Sequence, residues 1–403
     1  MTIRALYPNL TPSLLLDFAK GKVVDPRVSF SRAGGATYLD AYGNWQEVPE
    51  NMPRFDHDPT TGVCRGLLIE PQATNRNTNP RCEGFSVGVI GSGGALPTGW
   101  GGPSSTVTRE ILGTTVINGV TCLLIRFTGV PGTTGPIEWR VGSGGETTTV
   151  GTRVINSVFV ALVAGTLTNV GGFSLRTEGS AQTGFTPSAT LQRIVNNRVI
   201  TGTTSATIIR YNYTDTVTAV DYTLAVGWPQ RQHEDILSTP ILPPVGTLAQ
   251  STRGSDSLET TNLSGWFNNA SGSLVIQATR TQSTTLPLVS FDDNTVNEQI
   301  NLYTNVADPK FTVSDGGVTQ ADLNGGTTVT NTSFKLAAAY AQNDFALCLN
   351  GTTTQTDASG TVPTVDRMRI GSDVSANQFV GYMNRIAYYP ERLINSELEN
   401  LTK

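Results

Sequence analysis

The sequence predicts an all-β protein: tandem β-sandwiches after a small extended N-terminal segment, with one short C-terminal helix. Three observations carry this. The chain of 403 residues holds 42 glycines and is rich in Thr and Ser; threonine suits the pleated, half-buried face of a strand and glycine the turns between strands. Its apolar residues come in short runs bounded by turn signals. Its length is that of two or three domains, each able to bury a core.

Charged residues are only 15% of the chain and the net charge is −5, with no basic run, which excludes a nucleic-acid-binding stripe. The cysteines, Cys64, Cys82, Cys122 and Cys348, form no CxxC, which excludes a zinc ribbon. They read as small buried hydrophobes of a chain made in a reducing cytoplasm, although spacing alone leaves a disulfide between any two open. The apolar patch Leu14 to Leu16 is too short to span a bilayer and lacks the flanks of a secretory signal. A soluble protein with no membrane insertion is expected.

Residues 1–78 read as an extended docking segment of short strands and turns. "VSFSRAGGATYLDAYGNW" turns twice, and Leu67 to Ile69 of "CRGLLIE" form an apolar strand. "ATNRNTNPRCEGF" is polar and marks a boundary. Residues 79–235 form the first sandwich, with strands such as "VTCLLIRFTG" and "DYTLAVGWPQ". "VINSVFVALVAG" reads as a strand buried on both faces. In "SATIIRYNY", Ile209, Tyr211 and Tyr213 alternate against Ile208, Arg210 and Asn212. Residues 236–257 contain Pro240, Pro243 and Pro244, which deny a helix or central strand, so they read as an extended connector. Residues 258–403 form the second sandwich. There "AYAQNDFALCLNG" is a hairpin with Asn343-Asp344 at its tip. "NSELENLT" is a helix capped by Asn395 or Ser396, with Leu398 and Leu401 on one face.

Two resemblances add to this. "FALCLNGTTTQT", "MRIGSD" and "FVGYMNRIAYYPERLINSELENL" resemble the laminin-G and concanavalin-like family, with Gly381, Ile386, Tyr388 and Leu398 at its pattern positions; this implies a jelly-roll type for the last third. "FSRAGGATYLDAYGNWQEVPENMPRFDHDPTTGVCRGLLIEPQATN" resembles the N-terminal segment of a family of bacteriophage and prophage virion proteins. Their pattern is an Arg-Ala start, "TY-hydrophobic-D", "PRFD-x-DP" and "RGLLIE-x-Q-x-TN". That family continues with a carbohydrate-binding-module-like sandwich, matched by "LPTGWGG", and a "TR-x-x-D" restart, matched at Arg253 and Asp256. The resemblance implies a virion appendage such as a tail fibre or spike, assembled with other virion proteins. It also implies a homo-oligomer, by preference a trimer.

Candidate sites follow. Asp56-His57-Asp58 gathers metal-ligand types, but neighbours on a strand point to opposite faces. The structural reading therefore has the two aspartates accepting backbone N–H groups in a turn stiffened by Pro59, with Arg65 or Arg54 paired to one of them. Asp292 and Asp293, with Glu298 nearby, read as a solvated acidic turn, or as the calcium-holding loop rim that the laminin-G resemblance implies; no other cofactor is expected. Glycan binding needs aromatic platforms. The candidates are Trp100, Trp139, Tyr211 and Tyr213, which a sandwich equally needs inside its core, and Trp266, better placed for exposure among the polar residues of "LSGWFNNASG". No G-x-S-x-G, H-E-x-x-H or P-loop is present. The sequence therefore reads as a non-enzymatic virion component, a surface fibre or spike binding host surface glycans. Its rivals are a decoration or connector protein that binds only virion proteins, and a capsule depolymerase.

Overall fold

The computed structural model describes residues 11–102, 107–177 and 182–403. These residues build two β-sandwiches of jelly-roll type, with a short helix, Asn395–Leu401, at the C-terminal end.

In the first sandwich a seven-stranded sheet runs Gln192–Val199, Arg153–Thr166, Val220–Gln232, Val120–Gly129, Thr108–Ile117, Gly88–Ile90 and Gly93–Gly94. It faces a four-stranded sheet, Ile137–Arg140, Ile208–Tyr213, Val170–Arg176 and Gln182–Phe185. Strand Arg153–Thr166 is buried continuously from Val154 to Ala161. Val158 and Val160 enter the core between the two sheets, while Phe159 and Ala161 pack with Trp228 and Leu242 on the far side. A continuous apolar run is what burial on both faces demands.

The second sandwich pairs an eight-stranded sheet with a seven-stranded one. The N-terminal segment, read from sequence as an extended docking segment, is built into both sheets. Leu14–Asp17 pairs with one stretch of Gly381–Tyr389, from Tyr388 to Arg385. Cys64–Ile69 pairs with another stretch of the same strand, from Gly381 to Met383. Ser29–Ser31 pairs with Ser257–Thr260 in the opposite sheet. Leu14, Leu16, Phe18, Leu67 and Ile69 are all buried in that core. A segment this short cannot bury a core alone, so its apolar strands complete one supplied by residues over 200 positions away. The same segment also reaches the first sandwich. The hairpin Ala36–Leu39 and Trp45–Val48 sends the Trp45 N–H to Asn118 O at 2.9 Å and its ring edge-on to Phe159 at 5.9 Å.

One buried ionic cluster joins segment, connector and sandwich. Arg54 holds Glu70 at 2.6 Å and Asp256 at 2.5 Å, Arg32 holds Asp256 at 3.2 Å, and Arg253 pairs with Glu70. Asp256 also accepts the Glu70 N–H at 2.9 Å, and Glu70 takes the Thr239 N–H at 2.8 Å. Burial pushes the Glu70 carboxyl up, but the Arg253 and Arg54 charges outweigh it and hold the carboxyl down at about 2. Arg32, Arg54, Glu70, Arg253 and Asp256 each come from one of the Arg-Ala, "PRFD", "RGLLIE" and "TR-x-x-D" elements.

Smaller differences from the sequence reading have local causes. Ala341 pairs with Asp344, so the hairpin tip is Gln342-Asn343, with Asn343 at φ 56. The helix begins at Asn395 and leaves Ile394 at its cap, whose N–H is taken by the Glu397 carboxylate at 3.2 Å. In the connector, Ser251–Arg253 pairs with Ala73–Asn75. Cys82, Cys122 and Cys348 are buried, Cys64 is half-buried, and all are free thiols. No helix among the described residues is long and apolar enough to cross a membrane.

Candidate functional site

The aromatic candidates lie inside the cores. Trp266 is 5% exposed. Its ring packs edge-on to Tyr388 at 5.5 Å and its indole N–H donates to Asn262 O at 3.1 Å. Trp100 packs on Trp139 at 5.8 Å and donates to Asn79 O. Tyr211 and Tyr213 are buried with Phe127, Phe173 and Tyr222. All five are buried, as the core reading of Trp100, Trp139, Tyr211 and Tyr213 has it, and the exposure expected of Trp266 is corrected. The calcium expectation meets a similar obstacle. Asp292 is fully buried and spends its carboxylate on Arg369 at 3.0 Å, on Arg367 at 3.7 Å and on the Asn294 N–H. Asp293 accepts from the Thr295 N–H and hydroxyl. Among the described residues no three His, Cys, Asp or Glu side chains gather as a metal site.

The Asp56-His57-Asp58 stretch is a clamp. A bulge opposite Asp56 and His57 leaves Arg65 as the extra residue, and the usual opposite-face rule gives way there. Both side chains reach one peptide strand: Asp56 accepts the Leu39 N–H at 2.7 Å, and His57 Nδ1 donates to Leu39 O at 3.0 Å. Asp58 accepts the N–H groups of Thr60 and Thr61, each at 2.9 Å, and pairs with Arg65 at 2.7 Å.

A large cavity lies beside this clamp. It is an open groove of about 810 Å³ on the outer face of the eight-stranded sheet. Strand alternation sends Leu274, Ile276 and Ala278 inward, leaving Val275, Gln277 and Thr279 outward. At one end of this outer face Ala337, Ala339, Ala346 and Ala387 are covered by Leu398 of the C-terminal helix. The other end is polar and uncovered. Cross-strand pairing of Asp17 with Arg385, Arg385 with Gln277, and Gln277 with Lys335 sets these four in one row. Gln277, Thr279, Ser333 and Arg385 line the floor; Asp17, Lys20, Asp58, Cys64 and Arg65 form a wall along one side of strand Gly381–Tyr389. The Arg65 guanidinium lies 5.3 Å from the centre of the Tyr382 ring, and Nη1 donates to the Tyr382 hydroxyl at 3.3 Å. Sequence reading missed Gln277, Tyr382 and Arg385 as site residues. Their only local signal is a polar side chain at outward strand positions, which every solvent-facing strand shares.

Asp56 supports the groove wall from beneath. Burial pushes its carboxyl up to about 6, against the opposing pull of the Leu39 N–H, Tyr382, Arg65 and Arg54. A raised native value means that its stabilising contribution is complete below about pH 4 and is lost as pH rises through about 6. Asp56→Asn keeps an acceptor for Leu39 and removes this loss. The variant is expected to be more stable than the parent at pH 8 by about 2–3 kcal/mol, an advantage that shrinks towards zero by pH 4. Urea unfolding at both pH values checks this; a pH-independent difference would contradict it.

No protein-family model and no curated protein matches the chain. Solved structures with some likeness include the CBM40 of a Ruminococcus gnavus IT-sialidase bound to α2,3-sialyllactose, at 20% identity, 34% of this chain, 84% of that chain and a TM-score of 0.31. Another is domain 4 of AbnA, a GH43 arabinanase of Geobacillus stearothermophilus, with arabinotriose, at 16%, 42%, 84% and 0.30. A third is the LG4-5 pair of mouse laminin α1, at 11%, 62%, 87% and 0.26. The sheets and the groove themselves define a two-sandwich β protein with an open, polar, rigidly floored cleft.

Proposed function

We propose that the chain is a structural, non-catalytic component of a bacteriophage or phage-like particle, part of a surface fibre or spike, and that it binds host cell-surface glycans in this groove. The groove carries the reading. Amide and hydroxyl groups of Gln277, Thr279 and Ser333 stand beside charged side chains on strands that fix their spacing, which is the chemistry that reads sugar hydroxyls. The particle assignment is supported by the virion-family resemblance. Five of its charged motif residues, scattered from Arg32 to Asp256, meet in one buried cluster. Assembly with copies of itself, a trimer by preference, and with other virion proteins makes weak single sites sufficient through avidity.

A glycan array probed with the intact protein tests this. Binding is expected, weakened about tenfold by Gln277→Ala, with no reducing ends released from host polysaccharide. A blank array, together with a position at the neck or capsid in electron micrographs, would favour the connector alternative. Release of reducing ends would establish a depolymerase.

A further inference from the structure

We infer that the groove selects acidic glycans, with Arg385 as the residue that engages the sugar carboxylate or sulfate; this deepens the glycan reading above and rests on it. The observation is an excess of unspent positive charge in the cavity of an otherwise acidic chain. Lys20, Arg65 and Arg385 line the groove against Asp17 and Asp58, while the chain as a whole carries −5. Asp58 is consumed by Arg65 at 2.7 Å. The Asp17 carboxylate accepts the Lys20 backbone N–H at 3.0 Å. Asp17 stands opposite Arg385 in the strand pairing, yet their charged groups do not come within 4.0 Å.

Arg385 is exposed at the centre of the floor and has no carboxylate in ion-pairing range among the described residues. Two other arginines, with side chains 42% and 43% exposed, are paired, Arg27 with Asp25 and Arg126 with Asp221, each at 2.9 Å, whereas Arg198, exposed on the other sandwich, has no carboxylate in range among the described residues. Lys20, on the wall, is exposed and likewise lacks an acidic side-chain partner among the described residues. A planar guanidinium with free N–H groups takes a carboxylate or sulfate through two parallel hydrogen bonds. Its neighbour in the row, Gln277, supplies an amide that both donates and accepts for the adjoining hydroxyls. The low-dielectric sheet beneath and the wall beside it strengthen that pairing relative to a flat surface.

The discriminating probe is a set of uronate-containing oligosaccharides, each presented as free acid and as methyl ester, so that the two members differ in charge and in little else. The intact protein is expected to bind free acids about tenfold more tightly than their esters, and to lose that preference in Arg385→Gln and part of it in Lys20→Gln. Binding of the acids should weaken between about 50 and 300 mM NaCl. Arg385→Gln should melt with the parent, since its side chain is exposed, and Arg198→Gln on the other sandwich should leave binding unchanged. Equal binding of acids and esters would overturn the acidic selectivity and leave the glycan reading standing. No binding to any oligosaccharide, charged or neutral, would overturn both.

Discussion

Asp256→Ala is expected to destabilise the protein by about 3–5 kcal/mol. Asp256 is fully buried and holds Arg54 at 2.5 Å, Arg32 at 3.2 Å and the Glu70 N–H at 2.9 Å. Its removal leaves three arginines, Arg32, Arg54 and Arg253, facing Glu70 alone, with a buried N–H unpaired. Removing one partner of a buried ion pair costs far more than the pair contributes, because the remaining charge has no water to turn to. The loss should appear as a lower urea midpoint. It should also appear as faster amide exchange in Cys64–Ile69 and Ser257–Thr260, strands that converge on the cluster. A loss under about 1 kcal/mol would mean that the cluster does not hold segment and sandwich together. The Glu70 contribution adds a pH signature. Its lowered native value makes its stabilisation complete above about pH 4.5 and lost as pH falls towards 2.

Gly66→Ala is the second large effect. Gly66 stands at φ +104, and a Cβ there would lie 2.3 Å from Met383 O and 2.8 Å from Asn384 Cα. Both neighbours are backbone of the strand that carries Arg385, so nothing flexible can yield. The cost combines left-handed strain with a broken strand contact, about 3 kcal/mol or more. Gly113→Ala separates the two terms. Gly113 has φ +128 with nothing within 4 Å of its Cβ position, so strain alone should cost about 1–2 kcal/mol. Thermal melts of both variants check the difference, and equal losses would refute the contact term. Because Asn384 Nδ2 donates to Arg65 O at 2.5 Å, Gly66→Ala should also disturb the groove wall and weaken glycan binding.

Two of the site readings that the structure changed show where local sequence misleads. Trp266 stands among Ser, Gly and Asn, which suggested exposure. Those polar groups serve the turn itself, as when the Asn262 side chain accepts the Ser264 N–H. The indole is covered from afar, by Tyr388 and Phe291. Asp56 and His57 were expected on opposite faces. The bulge at Arg65 is recorded in the partner strand, so their own sequence carries no sign of it.

The all-β class, the strand buried on both faces, the alternation at Ile208–Tyr213 and the closing helix were determined by the sequence itself. Each depends on spacing within a dozen residues, and backbone geometry turns spacing directly into a face. The motif frame "PRFD", "RGLLIE" and "TR-x-x-D" could also be read there as belonging together. Only the tertiary structure decided why. Arg54, Glu70 and Asp256 need one another because each alone would be an uncompensated charge out of water. The groove was decided at the same level. Its lining joins residues from Asp17 to Arg385, and whether an outward polar side chain faces solvent or a cleft depends on which distant strand lies beside it.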